Sequence, residues 1–348
     1  MLTILNDLHV GAVRTGGTTP KSAYELRRYI SQSFENLIET VPTGSDLMIL
    51  GDLFDAYSVP YLDLLATYMA LDLWCVQRPQ QTLYLVAGNH DLSKTVSTMS
   101  SFQFLGKLLT LEGVRDNVEV IELPTLTKHG YVIPHLPNQD LFNLALAEVP
   151  ACDFLFLHCN YDNAFAVESD HSLNISPEQA RAAPVGRIIV AHEHQGRQAL
   201  NGKVIIPGNQ IPSSVADCIG NYQKFFTQIE GQNCTLVPCW EAEGSFARVQ
   251  WDLWKEAAPD AQFIRVEGDV SALDSAKAVA AISKLRAAHS AFVVTNALKI
   301  EGRNVDEDRL TLEKVRSFNI LAALLEKLGP KHAAKVQKLL AEHGQPGE

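Results

Sequence analysis

Five apolar runs in this chain stop abruptly at Asp, Asn or His: LTILNDLH (2–9), LMILGDLFD (47–55), LYLVAGNHD (83–91), FLFLHCNYD (154–162) and IIVAHEH (188–194). Short, continuous apolar runs read as strands buried on both faces. Polar groups at their ends cannot enter a core without partners. The chain must therefore build a sheet whose strand ends meet at one rim, where those side chains emerge together.

The segments between the runs fit that demand. Helical spacing of Ile30, Phe34, Leu37, Ile38 and Val41 predicts a helix over 21–41. A second helix, 59–78, is expected to carry Leu62, Leu65, Met69 and Leu73 on one face, either core or a surface for a partner, and further helices are expected at 97–110 and 138–147. Strands are expected at 2–6, 45–57, 81–91, 118–123, 129–137, 152–162, 186–196, 203–212 and 224–231. Strand and helix alternate in the first half and strands dominate later. This predicts an α/β sandwich with its ligands at the C-terminal ends of strands. After about 230, strands at 262–270 and 291–302 flank a helix at 271–289, a small β-α-β unit suited to a cap. From Asp306 to Gly344 the chain reads as two helices broken at LGPKH (328–332), which dock on their own domain or await a partner helix.

Composition narrows the function. No run is apolar for the 18 or so residues that cross a membrane, and MLTILNDLHVG lacks the basic start of a signal peptide. The six cysteines form no CxxC pair and read as free thiols of a reducing cytoplasm. The net charge is −11, with −9 in the first 228 residues and −2 in the rest. That argues against gripping DNA through phosphates alone, and it suits carboxylates gathered on cations.

The strand ends supply Asp7 and His9, Asp52 and Asp55, Asn89, His90 and Asp91, His158, and His192 and His194. Imidazoles, carboxylates and one amide oxygen suit borderline divalent ions such as Mn²⁺, Fe²⁺ or Zn²⁺. On an extended chain residues i and i+2 point the same way, so Asp7 should converge with His9, and His192 with His194. A lone D-x-H is ordinary chemistry, and a lone Gly-Asp is a turn. The weight lies in all five motifs, each after an apolar strand. His129, His171, His289, His332 and His343 read as surface or structural histidines. Arg14, Lys94 and Arg197 follow the ligand motifs as solvated charges or as contacts to DNA phosphates.

The order D-x-H, G-D-x-x-D, G-N-H-D, H and x-H-x-H, over residues 1 to about 230, resembles the calcineurin-like metallophosphoesterase superfamily. Within it, VIIPGNQIPSSV, KFFTQIE and VIPHLP resemble segments of the SbcD-type nuclease subunit, and the layout is similar to compact phage recombination exonucleases. VIPHLP also brings His135 toward the site. The resemblance implies a two-sheet metallophosphoesterase sandwich flanked by helices (1–230), a small β-α-β cap domain (231–302) and a C-terminal helical hairpin (303–348) that binds the coiled coil of an SbcC-type ABC ATPase. It implies two divalent cations, Mn²⁺ by expectation. Asp7, His9 and His194 would hold one, Asn89, His158 and His192 the other, and Asp52 would bridge them. Such cations, about 3.5–4 Å apart, would activate a bridging hydroxide toward a phosphodiester. His90 would then stabilise or protonate the leaving oxygen, with Asp91 fixing its tautomer. Three positions depart from the pattern: Ala191 stands for Gly, Asn209 for Ser, and Asp55 sits where His or Asp occurs.

The implied function is a metal-dependent DNA exonuclease or endonuclease subunit, acting with its ATPase in break processing, recombination or replication. Dimerisation through helices 59–78 and 97–110 comes from the same resemblance. The alternatives are a phosphomonoesterase or cyclic-nucleotide phosphodiesterase on the same metals, and a metal-free scaffold. Filled ligand positions oppose the scaffold, and the C-terminal third opposes a small-substrate enzyme.

Overall fold

The computed structural model describes residues 1–92, 98–111, 114–163, 172–220, 223–257 and 260–300. The expected helical hairpin, Lys94, His171, His332 and His343 lie outside the described residues.

Strands β1 (Leu2–Leu5), β2 (Asp46–Leu50), β3 (Leu83–Val86) and β4 (Val118–Ile121) run parallel in a first sheet. A second six-stranded sheet holds β5 (Thr125–Thr127), β6 (Gly130–Ile133), β7 (Cys152–His158), β10 (Val185–Ala191), β11 (Arg197–Ala199) and β12 (Val204–Ile206). Between β7 and β10 in the chain, β8 (Asn160–Tyr161) and β9 (Asn174–Ile175) make a short separate ladder. The first sheet is completed by β13 (Gln223–Glu230), antiparallel to β1, and by β14 (Asn233–Glu241) at its edge.

Side chains alternate across each strand. Leu2, Ile4, Met48, Leu50, Tyr84 and Val86 of the first sheet meet Phe154, Phe156, Ile189 and Ile205 of the second in a buried interface. The opposite faces are covered by helices. Leu5, Leu47, Ile49, Leu83 and Leu85 pack under α1 (Pro20–Thr40), α2 (Tyr61–Gln77) and α3 (Ser101–Leu109). Leu155, Leu157, Ile188 and Val190 pack under α4 (Gln139–Ala147) and α5 (Pro177–Ala182). The result is the helix-flanked two-sheet sandwich that the apolar runs demand.

Local signals account for most boundaries. Thr19 and Ser22 form a capping box at the start of α1, with Pro20 in its first turn. Strand β12 stops at Ile206 because Pro207 cannot donate to a ladder and Gly208 turns at φ +78°.

Helix α2 turns its expected apolar face outward and buries another. Leu62, Leu65, Met69 and Leu73 are 75%, 53%, 61% and 55% exposed, whereas Leu64, Thr67, Leu71, Trp74 and Cys75 are buried. The helix is apolar nearly all round, so periodicity could not choose its buried face. A half-buried ion pair contributes to that choice: Arg27 Nε of α1 lies 2.7 Å from the buried Asp63 Oδ2.

Past β14, a third sheet of β15 (Phe246–Gln250), β16 (Phe263–Val270) and β17 (Val293–Ile300) runs wholly parallel, with α6 (Ser275–Ala288) between β16 and β17. Phe263 and Phe292 pack against Tyr29 of α1. The Val294 N–H donates to the Gly17 carbonyl at 2.8 Å. Strands β14 and β15 were not expected. Pro238 interrupts the apolar run of β14 and lies at a register shift, which an edge strand tolerates. Among the described residues no helix is long and apolar enough to cross a membrane.

Candidate metal centre

The residues that end the parallel strands leave extended geometry at once. Asp7, His9, Asp52 and His192 hold φ of 50°, 49°, 50° and 92°. Extended i, i+2 alternation therefore does not operate here, although Asp7 and His9 do converge as expected. Left-handed turns aim the side chains instead, and they send His192 and His194 to different places.

Three groups of donor atoms result, each within 4.8 Å: Asp7, His9 and His194 in the first, Asp52, His158 and His192 in the second, and His9, Asp55 and His90 in a third that shares His9 with the first. His9 Nε2 faces His194 Nε2 at 3.0 Å. His158 Nε2 lies 3.0 Å from Asn89 Oδ1 and 3.4 Å from Asp52 Oδ2. The first group is tied to the second through its backbone, since the His192 N–H donates to both Asp7 oxygens at 3.0 and 3.1 Å.

The far side of three rings faces an oxygen, within a hydrogen bond for His158 and His194 and at ion-pair distance for His9. His158 Nδ1 lies 3.2 Å from the Leu50 carbonyl, His194 Nδ1 lies 2.8 Å from Asp217 Oδ1, and His9 Nδ1 lies 3.4 Å from Asp55 Oδ1. A carbonyl can only accept, so His158 Nδ1 carries a proton, and Nε2 faces the oxygens of Asn89 and Asp52. Acceptors that converge in this way need a cation between them, a proton or a metal. The donor set fits a borderline divalent ion.

The electrostatics agree. Burial opposes the charge on Asp52, but His158, His9 and His90 hold its carboxyl far below the usual range. Burial likewise opposes charge on His158, and Asp52 overrides it, raising the imidazole well above its ordinary value. His192 goes the other way, pushed by burial and by His158 down to about 4, so it stays neutral.

Asp91 does not hold the His90 ring. Its buried carboxylate accepts from the N–H groups of Leu53, Phe54 and Gly88 at 3.3, 3.0 and 3.0 Å. His90 Nδ1 instead donates to the Asp55 carbonyl at 2.6 Å. Arg14 is engaged by a bidentate pair with Asp55 at 3.1 and 3.2 Å. Arg197 pairs with Glu193 and donates to the Tyr161 carbonyl. Both guanidiniums thus build the rim. His135 lies beside the second group, its ring centroid 6.5 Å from that of His158. His129 sits with Asp46 at the opposite end of β2, and His289 accepts from the Ala291 N–H after α6.

Sequence reasoning missed the polar layer beneath the first group. Asn6, Gln210, Asn209, Asp217 and Lys224 are all buried. Asn6 Nδ2 donates to Asp7 at 2.7 Å, and Lys224 Nζ donates to the His194 carbonyl at 3.1 Å and to Asn209. The available signal was a Ser-Ser pair three residues before Asp217, a local capping pattern.

The family model of the calcineurin-like phosphoesterases matches residues 1–196, a span that contains every donor named in the three groups. No curated protein matches the chain significantly.

Gly51 gives this geometry a direct test. Its φ is +81°, and a Cβ there would lie 2.0 Å from His158 Nδ1. Gly51→Ala should displace the His158 ring, cost about 1–3 kcal/mol of stability and weaken cation binding. Thermal melting and Mn²⁺ titration check this, and wild-type values in both would refute the placement of His158.

Proposed function

Because the chain belongs to the calcineurin-like phosphoesterase family, we propose that it is the nuclease subunit of a DNA-processing complex, hydrolysing phosphodiester bonds with two divalent cations. The donor groups Asp7, His9, His194 and Asp52, His158, His192, beside Asn89, carry this reading. Bound there, two cations, Mn²⁺ in this reading, would polarise a water and offset the charge of the phosphate. The chain's own residues do the rest. Left-handed turns orient the donors, and Asp91 locks the loops that carry Asp52 and Asn89. His90, held through Nδ1 by the Asp55 carbonyl, has Nε2 left to stabilise or protonate the leaving oxygen.

DNA is favoured over a small phosphoester by what lies beyond the sandwich. The third sheet adjoins the loop between Arg14 and α1 through the Val294–Gly17 hydrogen bond, and it reads as a cap beside a polymeric substrate. The acidic first part suits a subunit whose SbcC-type ATPase partner supplies much of the grip on DNA. In this reading the ATPase binds the 303–348 segment. A homodimer is supported by the exposed apolar stripe of Leu62, Leu65, Met69 and Leu73 on α2.

The deciding experiment is a Mn²⁺-dependent digest of linear duplex and single-stranded DNA beside a nitrophenyl phosphate. DNA should be degraded and a chelator should stop it, whereas cleavage of the small ester alone would assign a phosphomonoesterase. His90→Asn should keep both cations and lose roughly 10²–10⁴-fold in cleavage. Wild-type turnover with metal content verified would remove His90 from the chemistry. Deleting 306–348 should abolish ATPase capture without loss of cation binding, and Leu65→Glu with Met69→Glu should yield monomers in light scattering. Retained capture or retained dimers would contradict the respective interface.

A further inference from the structure

We propose that Asp217 is the positioning residue that fixes the His194 ring for the first cation, as one end of a clasp of polar contacts that runs through Ser213, Arg14 and Asp55 to His9.

The clasp can be followed atom by atom. His194 Nδ1 donates to Asp217 Oδ1 at 2.8 Å. The other Asp217 oxygen accepts from Ser213 Oγ at 3.3 Å, and Ser213 Oγ in turn accepts from Arg14 Nη2 at 2.9 Å. A hydroxyl can do both, with one proton to give and lone pairs to receive. Arg14 spans both oxygens of Asp55, and Asp55 Oδ1 lies 3.4 Å from His9 Nδ1. The two imidazoles at the ends present their Nε2 atoms to each other at 3.0 Å. The chain of contacts thus closes on itself at the place where a cation would sit.

Asp217 is built to stay put. It is 3% exposed, and its Oδ2 also accepts from the N–H groups of Ser213 and Ser214 at 2.9 and 2.8 Å and from Ser214 Oγ at 2.9 Å. Five donors therefore converge on one carboxylate. An acceptor so saturated takes a proton from no one, so the proton of neutral His194 belongs on Nδ1 and the lone pair on Nε2. Lys224, fully buried, donates to the His194 carbonyl and fixes the backbone of the same residue from the other side. The ring cannot rotate without breaking the first contact, nor its backbone shift without breaking the second. Carboxylates that back a ligand histidine in this manner set metal affinity by 10–100-fold.

Asp217 could instead serve only to cap the Ser213–Ser214 turn. Asp217→Asn separates the two roles, since an amide nitrogen cannot accept and at least one of the five donors loses its partner. The inference rests on the cation-binding reading of the cluster and not on DNA as substrate. Titrating the full-length chain with Mn²⁺, followed by electron paramagnetic resonance, should give two tight ions for wild type. Asp217→Asn should give one ion unchanged and one weakened by roughly 10–100-fold. Equal affinity in the two proteins, or equal loss at both sites, overturns the proposal, and failure of wild type to bind Mn²⁺ overturns the cation reading itself. Should the variant not fold, the tautomer in the metal-free wild-type protein decides. Ring-nitrogen NMR at mildly alkaline pH should show His194 protonated on Nδ1, and a proton on Nε2 would refute the positioning role.

Discussion

The candidate centre depends on one buried carboxylate that is not a ligand. Asp91 takes the N–H groups of Leu53 and Phe54 from the loop after β2 and that of Gly88 from the loop after β3. Those loops carry Asp52 and Asn89. Without a common acceptor, three buried donors would be orphaned, at about 1–3 kcal/mol each. The loops would then relax and lose the register between the donor groups. The contact leaves the Asp52 carboxylate free to face His158 and to accept from the His90 N–H at 2.9 Å.

Around that pin, the histidines are sorted by what stands behind them. A carbonyl backs His158 and His90, and carboxylates stand behind His9 and His194. The consequence is chemical selectivity within one residue type. His158 is drawn toward the charged form by Asp52, whereas His192 is kept neutral by burial and by its charged neighbour.

Much of this is legible in the sequence, and the failures have definite causes. Strand ends can be read because parallel strands buried on both faces are continuous apolar runs, and Asp7, Asp52, Asn89, His158 and His192 directly follow such runs. That a rim of carboxylates and imidazoles results can be read as well. Periodicity does not sort His192 from His194, because that depends on a φ of 92°; the division comes from the family resemblance alone. Asp91 looked like a partner for His90 because it is adjacent in the chain, yet its acceptors are spent on backbone groups 37 and 38 residues away. The buried face of α2 was invisible because a helix with apolar residues all round has no preferred stripe, and Arg27 speaks for Asp63 only in three dimensions. Arg14 read as a solvated charge or a contact to DNA phosphate because its partner Asp55 is 41 residues distant.

The left-handed residues at the rim have a thermodynamic side. Four non-glycine residues, Asp7, His9, Asp52 and His192, sit where L-amino acids lose about 1–3 kcal/mol apiece. Together that is comparable with the whole net stability of an ordinary domain. The paired sheets must therefore be cohesive well beyond what their own folding requires, and the surplus is held at the rim as conformational tension. A chain arranged in this way places left-handed backbone and its most specific chemistry at the same residues. Anything that binds there also acts as a fold stabiliser, so occupancy of the rim and resistance to heat are two readings of one equilibrium.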